Sequence, residues 1–283
     1  CWDNYDKSSP LIDLESTAYP LPRLEEGYRW VDLSGNGNFC AIALEMATGS
    51  SALHCFSPSE PYYWTTIRDS KPTVSQPRLI AVSTAAACAV DESSLLCWGD
   101  AAGEWPDIDA SSITDIALNA DTNGALACAI ADEALHCWGG NYPDKVPQEA
   151  YNLPGKKFVS LGLNNNCVAN ESTLICWDTT GGTASTYYKS TGHEINGLAV
   201  ADYRVCIVAG ENLKCGNQSL GFVDQEGKSN NWFGDGNYIT EPDIAAPIAQ
   251  IEAGYRHFCA LAEGDVICWG VNASYDPISE VPK

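Results

Sequence analysis

Thirteen cysteines in 283 residues are the side chains best placed to do chemistry in this chain. Thiols can bind zinc, act as nucleophiles or oxidise in pairs, and their spacing tells these apart. No Cys-x-x-Cys knuckle occurs, and there are only four histidines (His54, His136, His193 and His257) to complete a zinc site. Instead, five cysteines are each followed nine positions on by another: Cys88 and Cys97, Cys128 and Cys137, Cys167 and Cys176, Cys206 and Cys215, Cys259 and Cys268. A sixth pair, Cys40 and Cys55, has the same surroundings with six more residues between. This pattern points to disulfides formed in an oxidising compartment.

A β-hairpin explains the spacing. In Cys259-Ala-Leu-Ala-Glu-Gly-Asp-Val-Ile-Cys268, a two-residue turn at Glu263-Gly264 pairs Ala262 with Asp265, Leu261 with Val266, Ala260 with Ile267, and Cys259 with Cys268. Counted outward from the turn, the cysteines fall on a non-hydrogen-bonded pair, where Cα atoms stand about 4.5 Å apart, within reach of a disulfide. The same count sets Val90 opposite Leu95, Ile130 opposite Leu135 and Val208 opposite Leu213 on the cysteine face. The extra residues between Cys40 and Cys55 lengthen one turn.

The hairpins belong to a longer repeat. First cysteines are 48, 40, 39, 39 and 53 residues apart, and four second cysteines are followed by Trp (Trp98, Trp138, Trp177, Trp269). A β-type run precedes each first cysteine, beginning at Val31, Ile80, Ile116, Val159, Leu198 and Ile251, and turn-forming clusters separate the units. Units of about 40 residues suit propeller blades. The expectation is an all-β chain, a β-propeller of six blades with a disulfide in each, or of seven if the two ends of the chain combine into one more.

Composition narrows function. Lys plus Arg number 15 against 37 Asp plus Glu, a net charge of −22, which repels nucleic acid and anionic membranes. No apolar run reaches the roughly 18 residues of a spanning helix. There is no Walker loop, G-x-S-x-G elbow, H-E-x-x-H or dinucleotide fingerprint, so neither an enzyme nor a cofactor is expected. Asp107 with Asp109, and Asp235 with Asn237, do not match a calcium loop. Asn170, Asn217 and Asn272 begin glycosylation sequons.

The last repeat, Ile251-Glu-Ala-Gly-Tyr-Arg-His-Phe-Cys-Ala-Leu-Ala-Glu-Gly-Asp-Val-Ile-Cys-Trp-Gly-Val-Asn272, resembles the bacterial, Cys-Trp-Gly form of the regulator of chromosome condensation repeat. Cys88–Gly99 and Cys128–Gly139 share its core; the fourth copy has Cys-Trp-Asp and the fifth Cys-Gly-Asn. The resemblance covers Val31 to Asn272 and implies a propeller, commonly seven-bladed, that serves as a rigid protein-binding platform. It also implies a structural role for His257, which matches the repeat histidine.

The thirteenth cysteine is residue 1. An N-terminal Cys ahead of a polar stretch is what lipoprotein processing leaves, so residues 1–27 read as a tether or assembly segment with lipid on Cys1, and residues 28–283 as the propeller. Cys1-Trp2-Asp3-Asn4 also looks like the end of a repeat, and an odd cysteine can join two chains. Departures from the repeat are free to carry recognition, which singles out Tyr62, Tyr63 and Trp64 in one long loop and Trp232 and Phe233 in another. The expected function is an exported scaffold of the cell envelope, outer membrane, periplasm or cell surface that binds a protein partner and touches membrane only through lipid. A filament subunit joined through the N-terminus, and a propeller enzyme acting on carbohydrate or lactone, are the alternatives.

Overall fold

The computed structural model describes residues 26–36, 38–56, 67, 70–83, 86–99, 106–121, 124–139, 143–179, 185–189, 193–201, 204–217, 242, 244, 247–254, 257–262 and 265–270. They build six antiparallel sheets, one per repeat, the blades of a β-propeller. Blades one to three lie in a compact unit within Thr17–Val146, and blades four to six in a second within Pro147–Lys283.

In the first unit, blade one is β1 (Tyr28–Asn36), β2 (Asn38–Glu45) and β3 (Ser51–Phe56); blade two is β4 (Leu79–Val82), β5 (Ala86–Val90) and β6 (Leu95–Gly99); blade three is β7 (Ile113–Asp121), β8 (Gly124–Ala131) and β9 (Ala134–Trp138). In the second, blade four is β10 (Lys156–Leu161), β11 (Asn165–Asn170), β12 (Thr173–Asp178) and β13 (Ser185–Lys189), preceded by the short helix α1 (Gln148–Asn152). Blade five is β14 (Ile195–Val200), β15 (Arg204–Ala209) and β16 (Asn212–Asn217); blade six is β17 (Ile248–Ala253), β18 (His257–Ala262) and β19 (Asp265–Gly270). Among the described residues only blade four has a fourth strand. Within each unit, first strands of successive blades are neighbours: β1 with β4, β4 with β7, β10 with β14, and β14 with β17.

The cysteine register is as the spacing requires. Cys259 faces Cys268 and Leu261 faces Val266 in blade six, and Val90 faces Leu95, Ile130 faces Leu135 and Val208 faces Leu213 elsewhere. Five disulfides join hairpin partners: Cys40–Cys55, Cys88–Cys97, Cys128–Cys137, Cys167–Cys176 and Cys206–Cys215, with Cα atoms 4.0 or 4.1 Å apart. That is the close approach of a non-hydrogen-bonded pair. Cys259 is also disulfide-bonded. The longer turn of blade one runs outside this register, since Leu44 already pairs with Ser51.

One starting point moves. The residue facing the position after the first cysteine is Leu33 in blade one, not Val31. Val31 is extra, a β-bulge between Trp30 and Asp32 that turns its side chain outward to 39% exposure. Ile116 lies further from its cysteine because β7 and β8 run on to pair Asp121 with Gly124 before turning. In blades two, four, five and six a tight turn replaces that extension, closed by Ser83 N–H to Ala86 O, Gly162 N–H to Asn165 O, Ala201 N–H to Arg204 O and Gly254 N–H to His257 O.

Packing follows from strand alternation, which sends the cysteines to one face and the neighbouring Trp to the other. Within a unit, the disulfide face of one blade meets the Trp face of the next. Cys40, Ile42 and Leu53 pack with Ile80, Val82, Ala87, Ala89 and Trp98. Cys88, Val90, Leu95 and Cys97 pack with Ile113, Ile116, Leu118, Ala129 and Trp138. Cys206 and Val208 pack with Ile251, Phe258, Ala260 and Trp269. The Trp98 indole N–H donates to Ile67 O at 2.7 Å, so burial leaves its polar edge satisfied.

Candidate binding surface

A rigid blade presents its variable chemistry at the turns, and the turns joining second to third strands share one property. Each described turn carries an acid. Glu92 in blade two, Asp132 and Glu133 in blade three, Glu171 in blade four and Glu211 in blade five are all exposed, and Glu45 begins the longer turn of blade one.

The backbone holds these acids outward in two ways. In blade two the Asp91 carboxylate accepts from Ser93 N–H (2.8 Å) and Ser94 N–H (2.7 Å), and from both serine hydroxyls. Burial alone would raise the Asp91 pKa, but these four donors outweigh it and hold the group below its usual value. In blade four Asn170 plays the same part, accepting from Ser172 N–H and Thr173 N–H and donating to Pro154 O. That use of the Asn170 amide gives the first sequon residue a structural role. Blade three instead takes the turn with Asp132 and Glu133 both at positive φ (49° and 59°), and blade five uses Gly210 (φ 63°).

A second feature meets the turns at the same end of the blades. The bulge at Val31 recurs at Thr114, Lys157, Asn196 and Ala249. Blade two has no register shift; there the residue ahead of the strand, Arg78, donates its N–H to Val90 O, the register partner of Leu79. Three bulge side chains brace their own turn: Lys157 Nζ lies 2.5 Å from Glu171 Oε1, Asn196 Nδ2 donates to Gly210 O at 3.3 Å, and Thr114 Oγ1 donates to Ile130 O at 3.4 Å. Bulges re-aim side chains. Here the result, in each unit, is a row of acidic turns interleaved with one freely varying residue per blade. Such a surface offers charge, hydrogen-bond acceptors and scattered apolar contact, with Tyr28 and Met46 exposed beside Val31 in blade one.

The other residues singled out by sequence sort by burial. Trp98, Trp138, Trp177 and Trp269 are buried. His54 sits edge-on to Trp30, ring centroids 5.8 Å apart; burial, then the charge of Lys71, lowers its pKa. His257 is held down to about 4 by burial, and its ring fills the space over Gly254, where a Cβ would come within 2.3 Å of it. Asp109 spends its carboxylate on Ser111 N–H and Oγ at the start of a 3-10 turn. Among the described residues no three His, Cys, Asp or Glu groups converge as a metal would need, and no helix is long and apolar enough to cross a membrane. Cys1, Tyr62, Tyr63, Trp64, Trp232, Phe233, Asp235 and Asn237 lie outside the described residues. The acidic turns and bulges were missed by sequence reasoning, although an acid four or five residues after every first cysteine was a visible signal.

No family model matches the sequence, and no curated protein sequence matches it. Solved structures do resemble the fold. Prp20p of Saccharomyces cerevisiae, the yeast RCC1, matches with TM-score 0.53 and 14% identity over 86% of this chain and 72% of its own. The ectodomain of the receptor kinase CR4 from Physcomitrella patens matches with TM-score 0.52 and 15% identity, over 85% of this chain and 61% of its own. Human WBSCR16 matches with TM-score 0.51 and 13% identity, over 89% and 80%. The chain therefore spans less than two thirds of the receptor ectodomain. At these identities the likeness is one of fold: an RCC1-like propeller.

Proposed function

We propose that this chain is an exported, disulfide-stapled propeller scaffold that binds a protein partner bearing a basic surface. The observation that carries the reading is the exposed acid at the hairpin turn of each of blades two to five, set on disulfide-stapled blades. A row of fixed carboxylates costs little to organise on binding and steers a cationic partner toward it. Export is supported by the disulfides, which persist in oxidising compartments. Protein binding draws support from the structural neighbours: Prp20p binds Gsp1p and histones, and CR4 contributes a receptor kinase ectodomain. The lipid on Cys1, the tether over residues 1–27, the cell-envelope location and aromatic contacts through Tyr62, Tyr63, Trp64, Trp232 and Phe233 complete the proposal; intact mass of the native protein tests the lipid.

Charge reversal tests the central part. One full-length variant carries Glu92→Lys, Asp132→Lys and Glu133→Lys, and another carries Glu171→Lys and Glu211→Lys. Crosslinking capture from the native envelope should fall at least tenfold in one or both, with melting temperature within a few degrees of wild type. Capture equal to wild type in both variants contradicts the acidic-turn reading.

A further inference from the structure

In an antiparallel hairpin, the residues of a non-hydrogen-bonded pair turn their backbone N–H and C=O away from the partner strand. Leu135 and Cys137 of β9 are two such residues, opposite Ile130 and Cys128, so both present N–H and C=O along the outer edge of blade three. Blade four shows what such an edge can hold. Leu174 and Cys176 are the matching residues of β12, and they lie in register with Tyr188 and Ser185 of the fourth strand, β13. There Cys176 is 0% exposed and Ile175 6%, whereas Cys137 and His136, at the same two positions of blade three, are both partly exposed.

Among the described residues no strand takes the outer edge of β9. Gly139, at φ 93°, turns the chain away after Trp138, and a 3-10 turn at Pro143–Lys145 and helix α1 then lead into β10. Open edges are ordinarily guarded, often by lysine. Blade one is guarded in this way: Lys71 Nζ donates at 2.7 Å to Leu53 O, the carbonyl that matches Leu135 O. The charged residues at the end of β9 are instead acids, the exposed Asp132 and Glu133 of its turn.

The strand that suits those acids has a pattern in β13. It runs antiparallel to β12 and ends with Lys189 in register with Thr173, two residues after the exposed Glu171. The matching position in blade three is Ala134, directly after Glu133. We propose, resting on the basic-partner reading above, that the outer edge of β9 receives an extended segment of that partner as a fourth strand. The segment runs antiparallel to β9, with a Lys or Arg at its C-terminal end beside Asp132 and Glu133. Main-chain hydrogen bonds to Leu135 and Cys137 attach it, and the terminal cation against two acids sets its direction.

Two measurements on the full-length, oxidised protein test this. In the free protein the Leu135 and Cys137 amides should exchange about tenfold faster than those of Leu174 and Cys176. The end-blocked peptide Ser-Thr-Tyr-Tyr-Lys, a copy of β13, should at millimolar concentration slow exchange at Leu135 and Cys137 by about threefold or more. A copy ending in Glu should protect them less, and that order should reverse in a variant carrying Asp132→Lys and Glu133→Lys. A copy N-methylated at its first and fourth residues, which match Ser185 and Tyr188, should give no protection. Leu135 and Cys137 amides already as slow as those of Leu174 and Cys176 would overturn the proposal. So would protection indifferent to N-methylation or to the charge changes, and slow exchange that is lost on dilution as a dimer dissociates, because a second copy would then be the cover. Partner capture that falls in the charge-reversed variants while no peptide protects β9 would remove the added strand and leave the acidic-turn reading standing.

Discussion

Blade three and blade four share a register but not a chemistry. The position of Ile113, fully buried where the first strand of blade three begins, is held in blade four by Lys156, only 5% exposed. Leu126, two residues before the first cysteine of blade three, corresponds to Asn165, which is 0% exposed and has no hydrogen-bond partner for either amide atom. Gly139, at φ 93° after Trp138, corresponds to Asp178, which stays in the strand and lies opposite Asn165. Yet the cysteines pair alike and the tryptophans are both buried. The ladder and its disulfide thus fix the blade, while the positions around them can drift toward polar residues at a cost in stability. An unpaired buried amide costs about 1–3 kcal/mol, and a buried ammonium is disfavoured further.

If this division is right, the shared anchors matter most. Trp138→Ala and Trp177→Ala should each cost about 3–5 kcal/mol in chemical denaturation, since both remove a buried indole. A much smaller loss in blade four would mean that its polar substitutions have already loosened the core.

The position of Leu126 and Asn165 is His257 in blade six, which adds a pH dependence. Burial holds His257 at about 4, below its ordinary 6.5. Between those values the unfolded chain binds the proton and the folded chain does not, so stability falls as pH drops through that window. The loss should be at most about 3 kcal/mol by pH 4 and absent in a His257→Leu variant that folds. A flat profile from pH 7 to pH 4 in wild type would show that the ring is solvated.

Smaller and opposite in sign are the gains from making blade four resemble blade three. Lys156→Met should stabilise by about 1–2 kcal/mol, because burial lowers the lysine pKa and so penalises its charged form. Asn165→Leu should add about 1 kcal/mol by removing an unsatisfied amide. Melting temperatures that fall in both variants would mean that these polar groups are satisfied in solution.

The blades were legible in the sequence because a nine-residue cysteine interval admits one hairpin register, and because Trp recurs where the pleat turns to the opposite face. The bulges were not. A bulge leaves the apolar pattern intact on either side and only slips it by one, so Val31 looked like the start of a core run rather than an outward residue. The acidic turns escaped for another reason: carboxylates scattered through a chain of charge −22 read as solubility until the register placed them all at one end of their blades. The hydrogen bonding of Asp91 and Asn170 was likewise hidden, since both depend on where the turn closes.

Each repeat is one blade stapled through its own hairpin. Peptide mapping of the non-reduced native protein tests it most directly. Six linkages are expected, the five hairpin disulfides with Cys259–Cys268 as the sixth, and Cys1 outside all of them. Each bridge closes a short loop worth about 2–3 kcal/mol, so reduction should also lower the melting temperature by many degrees. Linkages running between repeats, such as Cys97 to Cys128, would contradict both the register and the blades built on it.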